Sequence, residues 1–273
     1  MNPLQSKLLE MMTWLARYLD ENNLRYYSIG GTFLGAKRHG GFIPWDDDID
    51  IAMPRKDYEI LCDLLANEID HYIVESPRHS LNDYVYPYAK LYDTSTTMTE
   101  LLRHDMKRGV FIDIFPLDGL GNTLEEAHHN YKEIDKLNML LAMKACAYRP
   151  DRKWWKNLAV FIGGLIPINP HKLAQRIDKA CKARDFDSCE YVASCMSTYR
   201  AKEIMPRKYW GTPQKTKFED IEISGPELSE EYLTHLFKNW RQLPPEDKRH
   251  SAHDFKDLDF NKSYLHEQMY IQK

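Results

Sequence analysis

The sequence lacks the features of several large protein classes. No apolar stretch reaches the roughly 18 residues of a membrane-spanning helix, and the N-terminal region carries acidic residues where a secretory signal peptide has an apolar core. The five cysteines include no C-x-x-C pair, and their odd number disfavours a disulfide scaffold. We therefore expect reduced thiols and a cytoplasmic protein.

A surplus of positive charge is also missing. Lys and Arg number 37 against 41 Asp and Glu, which gives a formal net charge of -4. Proteins whose main task is to coat nucleic acid usually carry the opposite balance, so we expect no nucleic-acid partner. Hydrophobic residues make up 43% and charged residues 29% of the 273 residues, which is typical of a folded globular protein.

The residue pattern predicts an α/β (α+β) fold with a mainly helical C-terminal half. Apolar residues at three- and four-residue spacing predict helices over 4–19, 32–39, 55–69, 124–148 and 170–195, with another after 225. Short apolar or alternating segments predict strands over 24–29, 48–51, 72–75, 85–92 and 109–115. No repeat or low-complexity linker divides the chain. We expect a catalytic core over 1–120, on which residues 121–273 pack as a helical and C-terminal region that contributes to the substrate site.

Aspartates in two predicted strands give the strongest chemical signal. Asp48 and Asp50 share one face of a strand, because successive side chains point to opposite faces. Asp113 lies in a second apolar strand, which can be a neighbour of the first. Adjacent carboxylates repel each other unless a proton or a cation neutralises them, and oxygen ligands suit Mg²⁺ or Mn²⁺. We predict that these three acids bind the metal and are the catalytic residues.

Residues upstream of the acids are suited to phosphate binding. Gly30 and Gly31 lack Cβ atoms where a predicted strand turns into a helix, so backbone N–H groups can approach a phosphate, and Thr32 adds a hydroxyl. The planar guanidinium of Arg38 matches paired phosphate oxygens, and Lys90 faces the same cleft from a predicted strand. The alternatives are an ordinary turn for the glycines and a surface charge for Arg38. With a metal, this equipment would transfer a phosphorus centre between two oxygens.

Three blocks of sequence resemble the LicD-type phosphorylcholine transferases, which are relatives of the fukutin-related proteins in the nucleotidyltransferase superfamily. The blocks are GTFLGAKRHGGFIPWDDDID at 31–50, FIDIFPLD at 111–118 and LPPEDKRH at 243–250. The resemblance implies a nucleotidyltransferase-like mixed sheet flanked by helices. It also implies that His250 and His253, in and just after the third block, contact substrate.

The resemblance implies transfer of phosphocholine from CDP-choline to a sugar hydroxyl, with release of CMP. The acceptor would be a cell-surface glycan of lipopolysaccharide, teichoic acid or capsule, often carried on a lipid. A donor of the CDP-ribitol or CDP-glycerol type is the first alternative. A nucleotidyltransferase and a glycan-binding pseudoenzyme are further alternatives, although a protein that only binds has no reason to keep three mutually repelling acids. Choline recognition needs aromatic faces, and the candidates are Trp45, Tyr26, Tyr27, Tyr86 and Tyr88.

One segment suggests contact with a membrane. Residues 154–167 read WWKNLAVFIGGLIP, where Trp and Lys flank an apolar stripe as they do in interfacial helices. The segment is too short to cross a bilayer, and a buried core helix is the alternative. Peripheral contact with the inner face of the membrane would give access to a lipid-linked glycan.

Overall fold

A mixed β-sheet with helices around it is the centre of the computed structural model, which describes residues 1–81, 83–250 and 255–265. The described residues form seven α-helices: α1 (Pro3–Glu21), α2 (Gly30–His39), α3 (Arg55–Leu64), α4 (Leu124–Ala145), α5 (Trp154–Leu165), α6 (Pro170–Cys181) and α7 (Ser229–Phe237). Their strands are β1 (Tyr27–Ser28), β2 (Asp50–Pro54), β3 (Tyr72–Glu75), β4 (Ala89–Asp93), β5 (Thr97–Glu100), β6 (Met106–Arg108), β7 (Phe111–Gly121), β8 (Tyr191–Ala193), β9 (Met205–Pro206), β10 (Gln214–Phe218), β11 (Ile221–Gly225) and β12 (Phe255–Asp259). The predicted α/β class is confirmed.

The main sheet has the order β1-β2-β7-β4-β3, and only β2 and β7 are parallel in it. β8 pairs with the C-terminal part of β7, and β9 pairs with β8. A hairpin of β10 and β11 and a small sheet of order β12-β5-β6 are not hydrogen-bonded to the main sheet. Because β8 and β9 come from the second half of the chain, that half extends the sheet of the first.

Helix α1 covers the sheet and also holds the loop that carries the aspartates. The Asn2 side chain caps the helix by accepting the Gln5 N–H, and the Gln5 side-chain oxygen accepts the Asn2 N–H, which is the capping-box arrangement. The buried Gln5 amide then donates to the carbonyl oxygen of Asp46 at 2.9 Å. The start of α1 therefore fixes the backbone of the acidic loop.

Strand β7 runs further than the sequence predicts. The predicted strand over 109–115 continues through Pro116 to Gly121. Asp113 donates its N–H to Ile49 on the β2 side, so the nitrogen of Pro116 faces the other edge. On that edge the pairing with β4 stops at Ile114 and the pairing with β8 starts at Asp118. The missing N–H of proline therefore removes no ladder hydrogen bond.

The predicted helix over 170–195 is wrong beyond Cys181, where α6 ends. Residues 186–188 form a short 3₁₀ turn capped by Asp185, and 191–193 form β8. Val192 and Ala193 are fully buried against β7, so pairing with the sheet decides their conformation. No helix in the described ranges is both long and apolar enough to cross a bilayer.

Candidate active site

Asp50 and Asp113 lie side by side on the two central strands. They are register partners in the parallel pair of β2 and β7, so both side chains leave the same face of the sheet. Asp113 is buried, with 8% of its surface exposed. The Asp50 N–H donates to the Thr32 hydroxyl at 2.9 Å, and its carbonyl accepts the Ile29 N–H at 3.1 Å. Backbone contacts on both sides therefore fix Asp50.

Asp48 precedes β2 and does not belong to the strand, which begins at Asp50. Its carboxylate groups with those of Asp46 and Asp47, whose oxygens lie within 4.8 Å of one another. In the described part of the chain, Asp48, Asp50 and Asp113 do not make an equally close group of three. The predicted strand is thus wrong at residue 48. The acids form two groups, Asp46 to Asp48 in the loop before β2 and Asp50 with Asp113 on the two central strands.

The electrostatics of these acids suit a divalent cation. Burial raises the pKa of Asp50 well above its usual value, and the Asp48 and Asp113 charges raise it further. Repulsion of this kind is relieved when a cation binds between the carboxylates. The candidate ligand atoms are all carboxylate oxygens, which are the ligands that Mg²⁺ and Mn²⁺ prefer. The donor set therefore fits a metal, and the assignment of Asp48, Asp50 and Asp113 as its ligands stays a prediction.

The start of α2 lies against these acids. Gly30 has a positive φ of 54°, and a Cβ there would lie 3.5 Å from Oδ2 of Asp50. A Cβ on Gly31 would come within 2.7 Å of Oδ2 of Asp46, so a side chain would displace that carboxylate. The Gly30 N–H donates to the Tyr232 hydroxyl at 3.0 Å. The helix N-terminus is therefore adjacent to the acids as predicted, while the Gly30 amide is bound within the protein.

Lys90 reaches the acids from β4, where it is the register partner of Asp113. Its ammonium group lies 2.8 Å from Oδ1 of Asp113 and 3.1 Å from Oε2 of Glu100, and only 2% of the side chain is exposed. Burial alone lowers the pKa of Lys90, but the charges of Asp113 and Glu100 outweigh burial and raise it. The rings of Tyr86 and Phe111 lie 4.2 and 3.4 Å from the ammonium nitrogen. Lys90 is thus a buried cation that orients Asp113.

Three residues of this site give no local signal in the sequence. Glu100 shares Lys90 with Asp113, and Tyr232 binds the Gly30 amide. The ring of Tyr199 borders Gly30, and burial together with the charge of Asp50 raises its pKa. Tyr199 and Tyr232 come from the second half of the chain, 86 and 119 residues after Asp113 in sequence. Only the tertiary fold reveals their position.

The other predicted binding residues lie elsewhere or outside the described residues. The Arg38 guanidinium donates to the Trp240 carbonyl oxygen at 3.1 Å and to the His39 ring at 3.0 Å, which ties α2 to the C-terminal segment. His250 is exposed. His253 lies outside the described residues. Substrate contact by Arg38 and His250 stays a prediction.

A cavity of about 530 Å³ opens beside the acidic loop. Its walls include three aromatic side chains, together with two of the acids; these five are Trp45, Phe255, Phe260, Asp46 and Asp47. We call it the aromatic cavity. The Arg249 guanidinium lies 5.8 Å from the centre of the Trp45 ring, so that face of Trp45 already attracts a cation.

The remaining aromatic candidates do not line the aromatic cavity. The hydroxyl of Tyr26 accepts the Ser224 N–H at 3.1 Å, and that of Tyr27 donates to the Gly211 carbonyl at 2.6 Å. Both rings belong to the hydrophobic core. Tyr86 and Tyr88 flank Lys90, and the Tyr88 hydroxyl lies 3.5 Å from Oδ2 of Asp113.

The chain has relatives among known proteins. Residues 23–139 match the family model described as LicD/FKTN/FKRP, nucleotidyltransferase domain. The lipopolysaccharide cholinephosphotransferase LicD of Haemophilus influenzae is 27% identical over 249 residues, which cover 90% of this chain and 92% of the relative. The human ribitol 5-phosphate transferase FKRP is 40% identical over 50 residues, which cover 18% of this chain and 10% of that protein.

The matched region contains the whole acidic site, from Gly30 through β2, Lys90 and β7. The LicD relative aligns along nearly its full length, so the similarity extends to the second half of the chain. Residues 23–139 therefore carry a nucleotidyltransferase domain of the LicD/FKTN/FKRP type, and the chain is similar over 90% of its length to a transferase, LicD of Haemophilus influenzae.

Proposed function

We propose that the protein transfers phosphocholine from CDP-choline to a sugar hydroxyl of a cell-surface glycan and releases CMP. The observation that carries the proposal is the in-register pair of Asp50 and Asp113 beside the start of α2, within the region that matches the family model. The cholinephosphotransferase among the relatives supports the choline group and a lipopolysaccharide acceptor. A teichoic acid or capsule glycan, free or lipid-linked, is an acceptor of the same chemistry.

Residues of this chain have separate roles in the proposed reaction. Mg²⁺ or Mn²⁺ held by Asp48, Asp50 and Asp113 would neutralise negative charge on the diphosphate and on the leaving CMP. Thr32 fixes the backbone of Asp50. Lys90 keeps the Asp113 carboxylate in one orientation, and we assign to Asp113 the further role of accepting the proton of the attacking hydroxyl.

The aromatic cavity favours choline over an alditol in this proposal. A trimethylammonium group forms no N–H hydrogen bonds and is stabilised by aromatic faces and nearby negative charge. Trp45, Phe255 and Phe260 supply the faces, and Asp46 and Asp47 supply the charge. Ribitol and glycerol present several hydroxyl groups, and the aromatic part of the wall would leave those that do not reach Asp46 or Asp47 without partners.

The first test identifies the donor. Purified protein with Mg²⁺ and a glycan extract should consume CDP-choline and release CMP, and phosphorus NMR measures both changes. Chelation of the metal should stop the reaction. CDP-ribitol, CDP-glycerol and nucleoside triphosphates serve as parallel donors. Consumption of CDP-ribitol in preference to CDP-choline would favour the activity of FKRP, and pyrophosphate from a triphosphate would indicate nucleotidyl transfer.

The second test concerns the headgroup. Trp45→Leu should raise the KM for CDP-choline by about tenfold, the scale of a lost cation–π contact, with little change in the inhibition constant of CMP, which lacks choline. Trp14→Leu is the matched control, because Trp14 is also half-buried but stacks on Tyr18 and contacts the tilted ring of Tyr72 instead. An unchanged KM in Trp45→Leu would remove the aromatic cavity from donor recognition.

A further inference from the structure

Helix α5 exposes most of its apolar side chains. Trp154, Phe161 and Leu165 are 75%, 63% and 69% exposed. Trp155, Leu158 and Ile162 are exposed as well, so this 12-residue helix carries six of the fifteen exposed large hydrophobic side chains in the described part of the chain. The alternative prediction of a buried core helix is therefore wrong, because the largest side chains of α5 face outward.

The contacts of α5 with α4 fix which face is outward. Gly163 lies so close to α4 that a Cβ would come within 2.4 Å of the Met143 carbonyl oxygen. Asn157 and Val160 are buried on the same side. The Arg103 guanidinium donates to the carbonyl oxygens of Met143 and Val160, which joins the two helices. The small and buried residues thus occupy the inner face, and α5 cannot turn its apolar face inward without losing these contacts.

Positive charge lies next to the apolar face. Segment 149–156 contains four basic residues and one acidic residue, Asp151. Lys153 and Lys156 are exposed, and the Lys156 ammonium lies 5.6 Å from the centre of the Trp155 ring. Apart from Lys156, α5 itself carries no charged side chain. The surface therefore combines a charge-poor apolar stripe with a basic group at one end.

We propose that α5 and the basic segment 149–156 dock the protein onto an anionic lipid bilayer. The apolar stripe would insert below the headgroups, with Trp154 and Trp155 at the level where indole rings are enriched. Lys153 and Lys156 would contact the negative headgroups. The docking itself does not depend on the choice of donor. Its use for reaching a lipid-linked acceptor rests on the proposed function.

Vesicle binding tests the proposal. The full chain should co-sediment with vesicles of phosphatidylcholine and phosphatidylglycerol, and less with vesicles of phosphatidylcholine alone. The affinity for the anionic vesicles should fall as salt increases, since salt screens exposed charges. Absence of binding to anionic vesicles at low salt would overturn the proposal.

Variants on the exposed face separate the contribution of the apolar side chains to vesicle binding from that of the lysines. The double variant Trp154→Ser/Phe161→Ser should weaken binding about 100-fold or more, because both apolar side chains leave the bilayer. Lys153→Gln/Lys156→Gln should weaken it about fivefold for each charge removed, and only on anionic vesicles. The matched control is Ile60→Ser/Leu64→Ser, which removes two exposed apolar side chains from α3 and should bind like the parent.

Two outcomes would contradict the assignment. Equal vesicle binding by Trp154→Ser/Phe161→Ser and the parent would exclude α5 as the docking surface. A dimer in light scattering that this variant converts to monomer, without vesicle binding by the parent, would assign the face to self-association. CMP release from CDP-choline in solution reports the proposed function separately, so either proposal can fail without the other.

Discussion

Replacing Asp50 by Asn should reduce the rate of phosphotransfer by about 10³-fold or more. Removing one group that stabilises charge in a transition state has effects on this scale. The melting temperature, measured with chelator, should stay at or above that of the parent. Asn keeps the size of the side chain and the backbone hydrogen bond to Thr32, while the repulsion from Asp48 and Asp113 disappears. CMP release and a thermal melt measure the two effects.

A companion variant should show the same loss of activity with the opposite effect on stability. Asp113→Asn removes the charge that lies 2.8 Å from the buried ammonium of Lys90, so its melting temperature should fall. Asp220→Asn, at an exposed position in the β10–β11 turn, is the matched control and should match the parent in both measurements. Activity near the parental rate in Asp50→Asn would remove Asp50 from the mechanism.

The sequence predicts the part of the site that consecutive residues build. Asp50 and Asp113 each have apolar strand neighbours, and apolar flanks around an acid are visible without coordinates. Their pairing in register depends on β2 and β7 being parallel neighbours, for which the sequence has no local signal. The same holds for Lys90, whose contact with Asp113 follows from β4 on the other side of β7. Residue types at strand positions are predictable, whereas strand order is a property of the whole fold.

Loops and distant segments mark where sequence reasoning fails. Alternation suggested that Asp48 lies in a strand, but the Gln5 amide and the acidic neighbours shape a loop there. The sequence predicts helix across β8, and no glycine or proline separates β8 from the end of α6. Its three residues have too little periodicity of their own, and the edge of β7 decides their structure.

The two halves of the chain are joined by a buried charge cluster that the sequence analysis did not identify. Arg55, at the start of α3, donates to both carboxylate oxygens of Asp118 on β7, at 2.7 and 2.6 Å. A third hydrogen bond, at 2.6 Å, goes to Asp178 on α6. Asp118 is fully buried. Three elements from both sides of the predicted boundary at residue 120 therefore share one guanidinium group, so we expect the halves to unfold together.

Arg55→Met should lower the free energy of unfolding by about 3–5 kcal/mol at pH 8, the usual cost of removing one partner of a buried ion pair. Burial lowers the pKa of Arg55, but the charges of Asp118 and Asp178 and the hydrogen bonds to Asp118 together outweigh burial and raise the pKa well above its usual value. Burial raises the pKa of Asp118 in spite of Arg55. Without Arg55, Asp118 would be a buried carboxylate with its main compensating charge removed. Urea unfolding at pH 8 measures the loss.

The pH dependence distinguishes a lost charge partner from a packing defect. A carboxyl group whose pKa is higher in the folded than in the unfolded state stabilises the fold at low pH, and this stabilisation is lost as pH rises through the folded-state pKa. The deficit of Arg55→Met should therefore be smaller at pH 5 than at pH 8, and Arg55→Met/Asp118→Asn should recover part of it at pH 8. The deficit could instead be equal at both pH values and unchanged in the double variant. Arg55 would then stabilise the fold by packing alone, for example over the Tyr58 ring, whose centre lies 5.1 Å from the guanidinium carbon. The charge of Asp118 would in that case not contribute to stability. The parent should unfold in a single transition with coincident spectroscopic probes. Separate transitions of the two halves in Arg55→Met would show that this one guanidinium group couples β7 to the second half of the chain.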